Sequence, residues 1–466
     1  MKRLAMCLSS SLIVLLPSLA LGTPHWAELT KSVPLEYSFE DFIQEFEKVY
    51  ADDAERSRRR TIYSYNVEKI RVHNENPKAS WKMGINEFTD MEEDEDAFFG
   101  LDFGMSVQEK TKRRQKQQEV EGRSPAQSGL GSVAVSGPSS MVGGEASEVA
   151  DDSTEASASP SPSSSSGTSE NERAPLLLRP EARGRGRKDL SNLPESVDWR
   201  TSGIISPVKN QGPCGSCWAF AAADLVEAYH TKASGQLHTL SPQQLLDCTP
   251  NPEQCGGSGG CGGATVQLAY ETIQSMGGIA EEWVYPYQSY AGKGYACKFP
   301  DGRGNNGTEV GRSLKSVAKV VRWHELTENS YEETMMHLAF KGPLAVSVAA
   351  SSWRMYQTGV FDGCPSLDDN IVINHAVTLV GYGTDSVLGP YWLLKNTWSP
   401  KWGEGGYIRI RRHENPEAQV CGMNRNPRWG SACRGEWDTP VEVCGACGLL
   451  YEPSWVQVGR PSRPVN

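Results

Sequence analysis

The strongest constraint on this chain is a long stretch that cannot fold by itself. From Met105 to Gly186 there is no aromatic residue, and Ser159 to Ser166 is nothing but serine and proline. Glu119 to Glu148 mixes glutamate, glycine and serine. Such a segment buries too little apolar surface to offset its ordering entropy, so residues 104–191 are expected to be a disordered linker. Its presence accounts for a hydrophobic content of only 38%. Folded structure must then come from the pieces on either side. The linker ends in Arg183-Gly184-Arg185-Gly186-Arg187-Lys188, which reads either as a processing site or as a charged spacer.

The chain has 466 residues, room for two or three units. A net charge of -11 argues against a nucleic-acid binder that works by phosphate neutralisation. At the N-terminus, Met1-Lys2-Arg3 precedes an apolar run from Leu12 to Leu21, broken by Pro17 and followed by Gly22. This pattern predicts a secretory signal peptide over residues 1–22, too short to span a bilayer. No later stretch predicts an integral membrane span. Of the 12 cysteines, Cys7 would leave with the signal, so an odd number would enter an oxidising compartment.

Before the linker, Phe39, Phe42, Phe46 and Val49 recur at helical spacing, and a charged helix is expected from about Asp53 to Asn74, with Ile62, Val67 and Ile70 near one side. After it, helical runs at Cys217 to Thr231 and Ala264 to Ser275 precede β-rich runs at Leu344 to Ala349, Ala376 to Val380, Tyr391 to Leu394 and Tyr407 to Ile410. Helices followed by strands predict an α+β fold.

The chemistry concentrates at Gln211-Gly212-Pro213-Cys214-Gly215-Ser216-Cys217-Trp218. A tight Gly-Pro turn leads into a buried helix beginning at Cys217, and a helix N-terminus favours a thiolate there. A Cys-x-x-Cys redox pair is the competing reading, but the residues before it make a poor strand. Of the eight histidines, His375 stands out because it opens the apolar run Ala376 to Val380 and would be held rigidly. His337, beside Met335 and Met336, reads as a packed surface histidine. Asn396 follows the strand Tyr391 to Leu394 and precedes Trp398 and Trp402. It could accept a hydrogen bond from the His375 ring while Trp398 keeps water away, giving a nucleophile, a base and an orienting group.

These motifs resemble those of a papain-family cysteine protease precursor, cathepsin L-like rather than cathepsin B-like. Leu193 to Arg200 is similar to the family's mature N-terminus. Trp402-Gly403-Glu404-Gly405-Gly406-Tyr407 follows its asparagine motif. Upstream, Glu55, Arg59, Ile62, Tyr63, Asn66, Ile70 and Asn74, then Gly84, Asn86, Phe88 and Asp90, resemble the two motifs of its inhibitory prosegment. The likeness covers residues 38–90 and 193–430. It implies a papain-like two-domain fold, with a helical left domain and a β-barrel-like right domain over residues 192–432. It further implies a helical inhibitory prosegment over residues 23–103, and leaves 433–466 as a cysteine-containing C-terminal extension.

The resemblance implies a zymogen of a cysteine-type endopeptidase. Cys217 would be the nucleophile, His375 its imidazolium partner, Asn396 the orienting residue and Gln211 an oxyanion donor. Gly215, Gly263, Ala264, Asn374 and Trp398 would line the substrate cleft, with Asn426 near the floor of its S2 pocket. Family pairing implies disulfides Cys214–Cys261, Cys248–Cys297 and Cys364–Cys421, leaving Cys255, Cys433, Cys444 and Cys447 for two more; a zinc site at Cys444 and Cys447 is the less favoured alternative. Expected partners are protein or peptide substrates and the chain's own prosegment, removed at low pH, with Asp90 and the Arg/Glu-rich helix as candidate pH sensors. No cofactor, no metal and no nucleic acid is implied, and a monomer is expected. Asn306-Gly307-Thr308 is a glycosylation sequon. The expected location is the secretory pathway, ending in a lysosome- or vacuole-like compartment or outside the cell. An inactive homologue that binds protein through its cleft is the rival reading.

Overall fold

Ser38 starts the first helix by a reciprocal cap: its Oγ accepts from the Asp41 amide at 3.1 Å while the Asp41 carboxylate accepts from the Ser38 amide at 3.1 Å. Helix α1 (Phe39–Glu45) buries Phe39 and Phe42 against Tyr63. It stops before Glu47, whose φ of 49° turns the chain. Val49 therefore lies beyond the helix and is 93% exposed, contrary to its expected place on the buried face. Helix α2 (Asp53–Glu75) buries Tyr63, Asn66 and Ile70, while Ile62 and Val67 are half-buried beside that stripe. Strand β1 (Trp81–Met83) follows.

The computed structural model describes residues 37–92, 95, 190–298, 316–365, 369–436 and 439–459. The expected signal peptide, the linker through residue 189 with its basic end, and Asn306 fall outside them. In the second region, β2 (Val197–Asp198) leads to α3 (Cys217–Ser234), α4 (Pro242–Cys248) and α5 (Val266–Ser275). Then come β3 (Ile279–Ala280), β4 (Ser316–Ala318), β5 (Val320–Glu325) and α6 (Tyr331–Phe340). The remaining strands are β6 (Leu344–Val348), β7 (Tyr356–Phe361), β8 (His375–Asp385), β9 (Gly389–Lys395), β10 (Tyr407–Arg411), β11 (Cys421–Asn424), β12 (Val441–Cys444) and β13 (Ser454–Val458).

One sheet runs β1-β7-β10-β9-β8-β6-β13-β5, with β2 beside β8. Two apolar cores flank the site. Trp218, Leu225 and Tyr270 belong to the core of α3, α4 and α5; Trp353, Trp392, Trp398 and Trp402 belong to the core of the sheet. This is the expected α+β arrangement. The first region adds to it directly, since β1 pairs antiparallel with β7.

Two expectations about the C-terminus are corrected. Residues after 433 are no appendage, because β13 lies inside the sheet between β6 and β5 and buries Val456. Cys364 pairs with Cys447, not Cys421. Cys421 pairs instead with Cys444, because β11 and β12 set these two directly opposite, 4.0 Å apart at Cα. Cys214–Cys261 and Cys248–Cys297 form as expected, and Cys255 bonds Cys433. Among the described residues, no helix is long and apolar enough to cross a membrane.

Candidate active site

The turn before Cys217 is dictated by close packing. Gly212 has φ +60°, and a Cβ there would meet the Tyr290 carbonyl oxygen at 2.2 Å. Cys214, tied to Cys261, fixes the next step, and α3 then begins at Cys217 itself. Cys217 is the one described cysteine outside a disulfide. Gln211 is fully buried: its Nε2 donates to the Cys214 carbonyl at 2.9 Å and its Oε1 accepts from Thr397 Oγ1 at 2.5 Å.

His375 opens β8, and Asn396 directly follows the neighbouring strand β9. The register of these strands brings them together: His375 Nε2 and Asn396 Oδ1 are 2.8 Å apart. Trp398 covers the imidazole at 4.8 Å between ring centres, and Trp353 meets its edge at 6.3 Å. Cys217 and His375 line one cavity together with Gly215, Gly263, Ala264 and Asn374, while Trp398, also expected in the cleft, does not line it. The amide of Ala376, next to His375, bonds the Cys217 thiol. Burial opposes charge on both partners. It pushes the Cys217 thiol up to about 11 and holds His375 down at about 4, although the bond to Asn396 favours the imidazolium.

Asn426 does not line this cavity; its Oδ1 accepts from Asn370. The far wall is made by Val266, Ser347, Ile373, Trp429 and Gly430. Behind Ser347 stands Glu452, half-buried and hydrogen-bonded to it. Burial, with Glu325 and Glu328 nearby, raises the Glu452 carboxyl to about 8.

A buried ionic cluster under the site escaped notice. Asp224, two turns along α3 from Cys217, accepts from Lys395 at 2.7 Å and from Lys209 at 2.9 Å. Glu227 accepts from Lys209 at 2.6 Å and from the Leu240 amide at 2.7 Å. Burial raises Glu227 and lowers Lys395, whereas the two lysines pull Asp224 down against its own burial. The available signal was a lysine at the end of the apolar run Tyr391 to Leu394, and two acids in an otherwise apolar helix. His337 is likewise buried, not superficial: its Nε2 lies 2.7 Å from the Tyr229 hydroxyl, and burial holds it at about 3. No cluster of metal-ligating side chains occurs among the described residues.

A family model described as papain family cysteine protease matches residues 193–430. A second, the cathepsin propeptide inhibitor domain, matches residues 39–95. Fruit bromelain of Ananas comosus is 30% identical over 395 residues, 84% of this chain and 86% of that protein. A cathepsin L-like protein of Caenorhabditis elegans is 37% identical over 233 residues, 49% of this chain and 62% of that one. Among solved structures, a recombinant stem bromelain precursor superposes with a TM-score of 0.58 at 26% identity, covering 90% of this chain and 97% of that one. The chain belongs to the papain family of cysteine proteases and is the zymogen of one, carrying the family's propeptide inhibitor domain ahead of the peptidase region.

Proposed function

We propose that the chain matures to an endopeptidase that cleaves peptide bonds through Cys217, His375 and Asn396. The carrying observation is that the single described cysteine outside a disulfide opens a helix and shares a cavity with a histidine held by an asparagine. The proton moves from Cys217 Sγ to His375, where attraction between the new charges and the N-terminus of α3 offset the burial that disfavours each alone. Sulfur attacks the substrate carbonyl, and Gln211 Nε2 and the Cys217 amide donate to the oxyanion, each donor worth about 3 kcal/mol. His375 gives its proton to the nitrogen as the C–N bond breaks and the amine leaves. Water then attacks the thioester, His375 takes its proton, and the acid and the thiol are released.

The acyl part of the substrate would lie along Gly263 and Ala264, with one side chain entering the cavity towards Ser347. The disulfides support passage through the secretory pathway. The test is covalent labelling by an epoxide thiol titrant after acid processing. Stoichiometric labelling of Cys217 with loss of peptidase activity is expected. Folded protein that takes no label would instead be an inactive, protein-binding homologue.

A further inference from the structure

The hairpin of β11 and β12 does more than close on itself. It is anchored to the sheet half by the neighbouring bridge Cys364–Cys447 and is pinched at its base by Cys421–Cys444. Between the two strands the chain crosses to the helical half. At Pro427–Trp429 and Gly430 it lies on the segment just before His375: a Cβ at Gly430 would meet the Ile373 carbonyl oxygen at 2.1 Å, so only glycine permits this approach. A few residues on, it reaches the opposite wall. The Gly256 amide donates to the Ala432 carbonyl at 3.2 Å, the Arg434 amide donates to the Glu253 carbonyl at 2.7 Å, and Cys433 is bonded to Cys255. Gly256 itself packs on Ala264, on the wall that faces Asn374 across the cavity. Trp429, Gly430 and Gly256 all line the cavity that holds Cys217. The loop is thus a strap laid from one wall of the cleft to the other and covalently fastened at both.

We propose that this strap closes the cleft at the end away from Gln211, so that only a short stub of the acyl side of a substrate fits between it and Cys217. Substrates would be cleaved near an N-terminus, or within segments that can turn away from the strap, rather than at the middle of long extended chains. An obstruction of this kind selects by excluding the longer partner and not by gripping the shorter one. The inference rests on the catalytic reading above.

The test uses the activated enzyme and peptides carrying a fluorogenic amine leaving group, with the same two residues next to it and an acyl side lengthened stepwise to about five residues. In the wild-type protein kcat/KM is expected to peak at two or three residues and then to fall about tenfold, the scale on which one pocket-sized clash discriminates substrates. Opening the strap with Cys255→Ser/Cys433→Ser should abolish the fall, and Trp429→Ala, which keeps every disulfide, should reduce it. The ratio of long to short substrate is indifferent to the fraction of protein that folds. A wild-type rate that stays level or climbs to the longest peptide, with the same ratio in both variants, overturns the strap. Failure to cleave any peptide, with no epoxide labelling, overturns the catalytic reading instead.

Discussion

At Cys217 the helix N-terminus and the surrounding protein pull in opposite directions. The dipole favours a thiolate, but burial drives the thiol up to about 11 and His375 down to about 4. In the zymogen, therefore, alkylation of Cys217 by iodoacetamide should be slow at neutral pH and climb steadily past pH 9. A rate already on a plateau between pH 5 and 8 would show that the ion pair is formed before activation. Glu452 supplies a second titration with a definite sign. Its folded value of about 8 lies above the ordinary 4.5, so between these limits the unfolded chain is ionised while the folded one keeps its proton. Stability should fall as pH rises through that window. Glu452→Gln is expected to raise the urea midpoint at pH 7.5 and leave it unchanged at pH 4. Equal midpoint shifts at both pH values would remove Glu452 from the titration. Cys217, His375 and Asn396, proposed above as the catalytic group, stood out in the sequence because each sits beside a conspicuous local pattern: a turn, a strand start, a strand end. Glu452 did not, since its role depends on the strand pairing that sets β13 against β6.

Among the elements, α3 begins at Cys217 and β9 ends just before Asn396, and the buried cluster of Lys209, Asp224, Glu227 and Lys395 joins the two beneath the surface. Two cations face two carboxylates, so the cluster is neutral only when complete. Lys395→Met would leave an uncompensated buried carboxylate and should cost about 3–5 kcal/mol in urea unfolding. Lys395→Met with Asp224→Asn removes one charge of each sign and should recover most of that loss. If the two substitutions are simply additive, the pair is not coupled and the cluster holds nothing together. The helices and strands themselves were legible, because the apolar spacing of α3 and of β8 to β10 reflects burial that the sequence records directly. What was not legible is the partner of each element. Cys421 and Cys444 are brought opposite by a two-stranded ladder, and no spacing rule distinguishes that pairing from Cys364–Cys421.

At the scale of the whole molecule, the prosegment is held on the peptidase by apolar burial and by charges that respond oppositely to acid. Phe88 is fully buried and meets Trp398 edge-on at 5.4 Å; Asn86 Nδ2 donates to the Arg354 carbonyl at 2.6 Å; β1 extends the sheet at β7. Near this contact Glu87, facing Asn210 and Lys401, has its carboxyl raised by burial. A raised carboxyl takes up a proton on docking, so acidification strengthens this contact and cannot be what releases it. Within α2 the sign is reversed. Arg58 and Arg59 hydrogen-bond Glu55 and hold it at about 2, below its ordinary 4.5. That stabilisation is complete above about pH 4.5 and is lost as pH falls towards 2. Asp90, bonded to Lys48 and Tyr50 at 2.9 Å each, ties the same helix pair to the docking loop. Glu55→Gln should therefore shift the pH at which half the zymogen becomes labelled by an epoxide towards neutrality. Glu87→Gln, which keeps the uncharged form at every pH, should shift it towards acid. A Glu55→Gln zymogen with the wild-type profile would move the acid trigger out of α2 altogether. The opposite displacement of the two variants is the outcome that a general loosening of the prosegment could not produce.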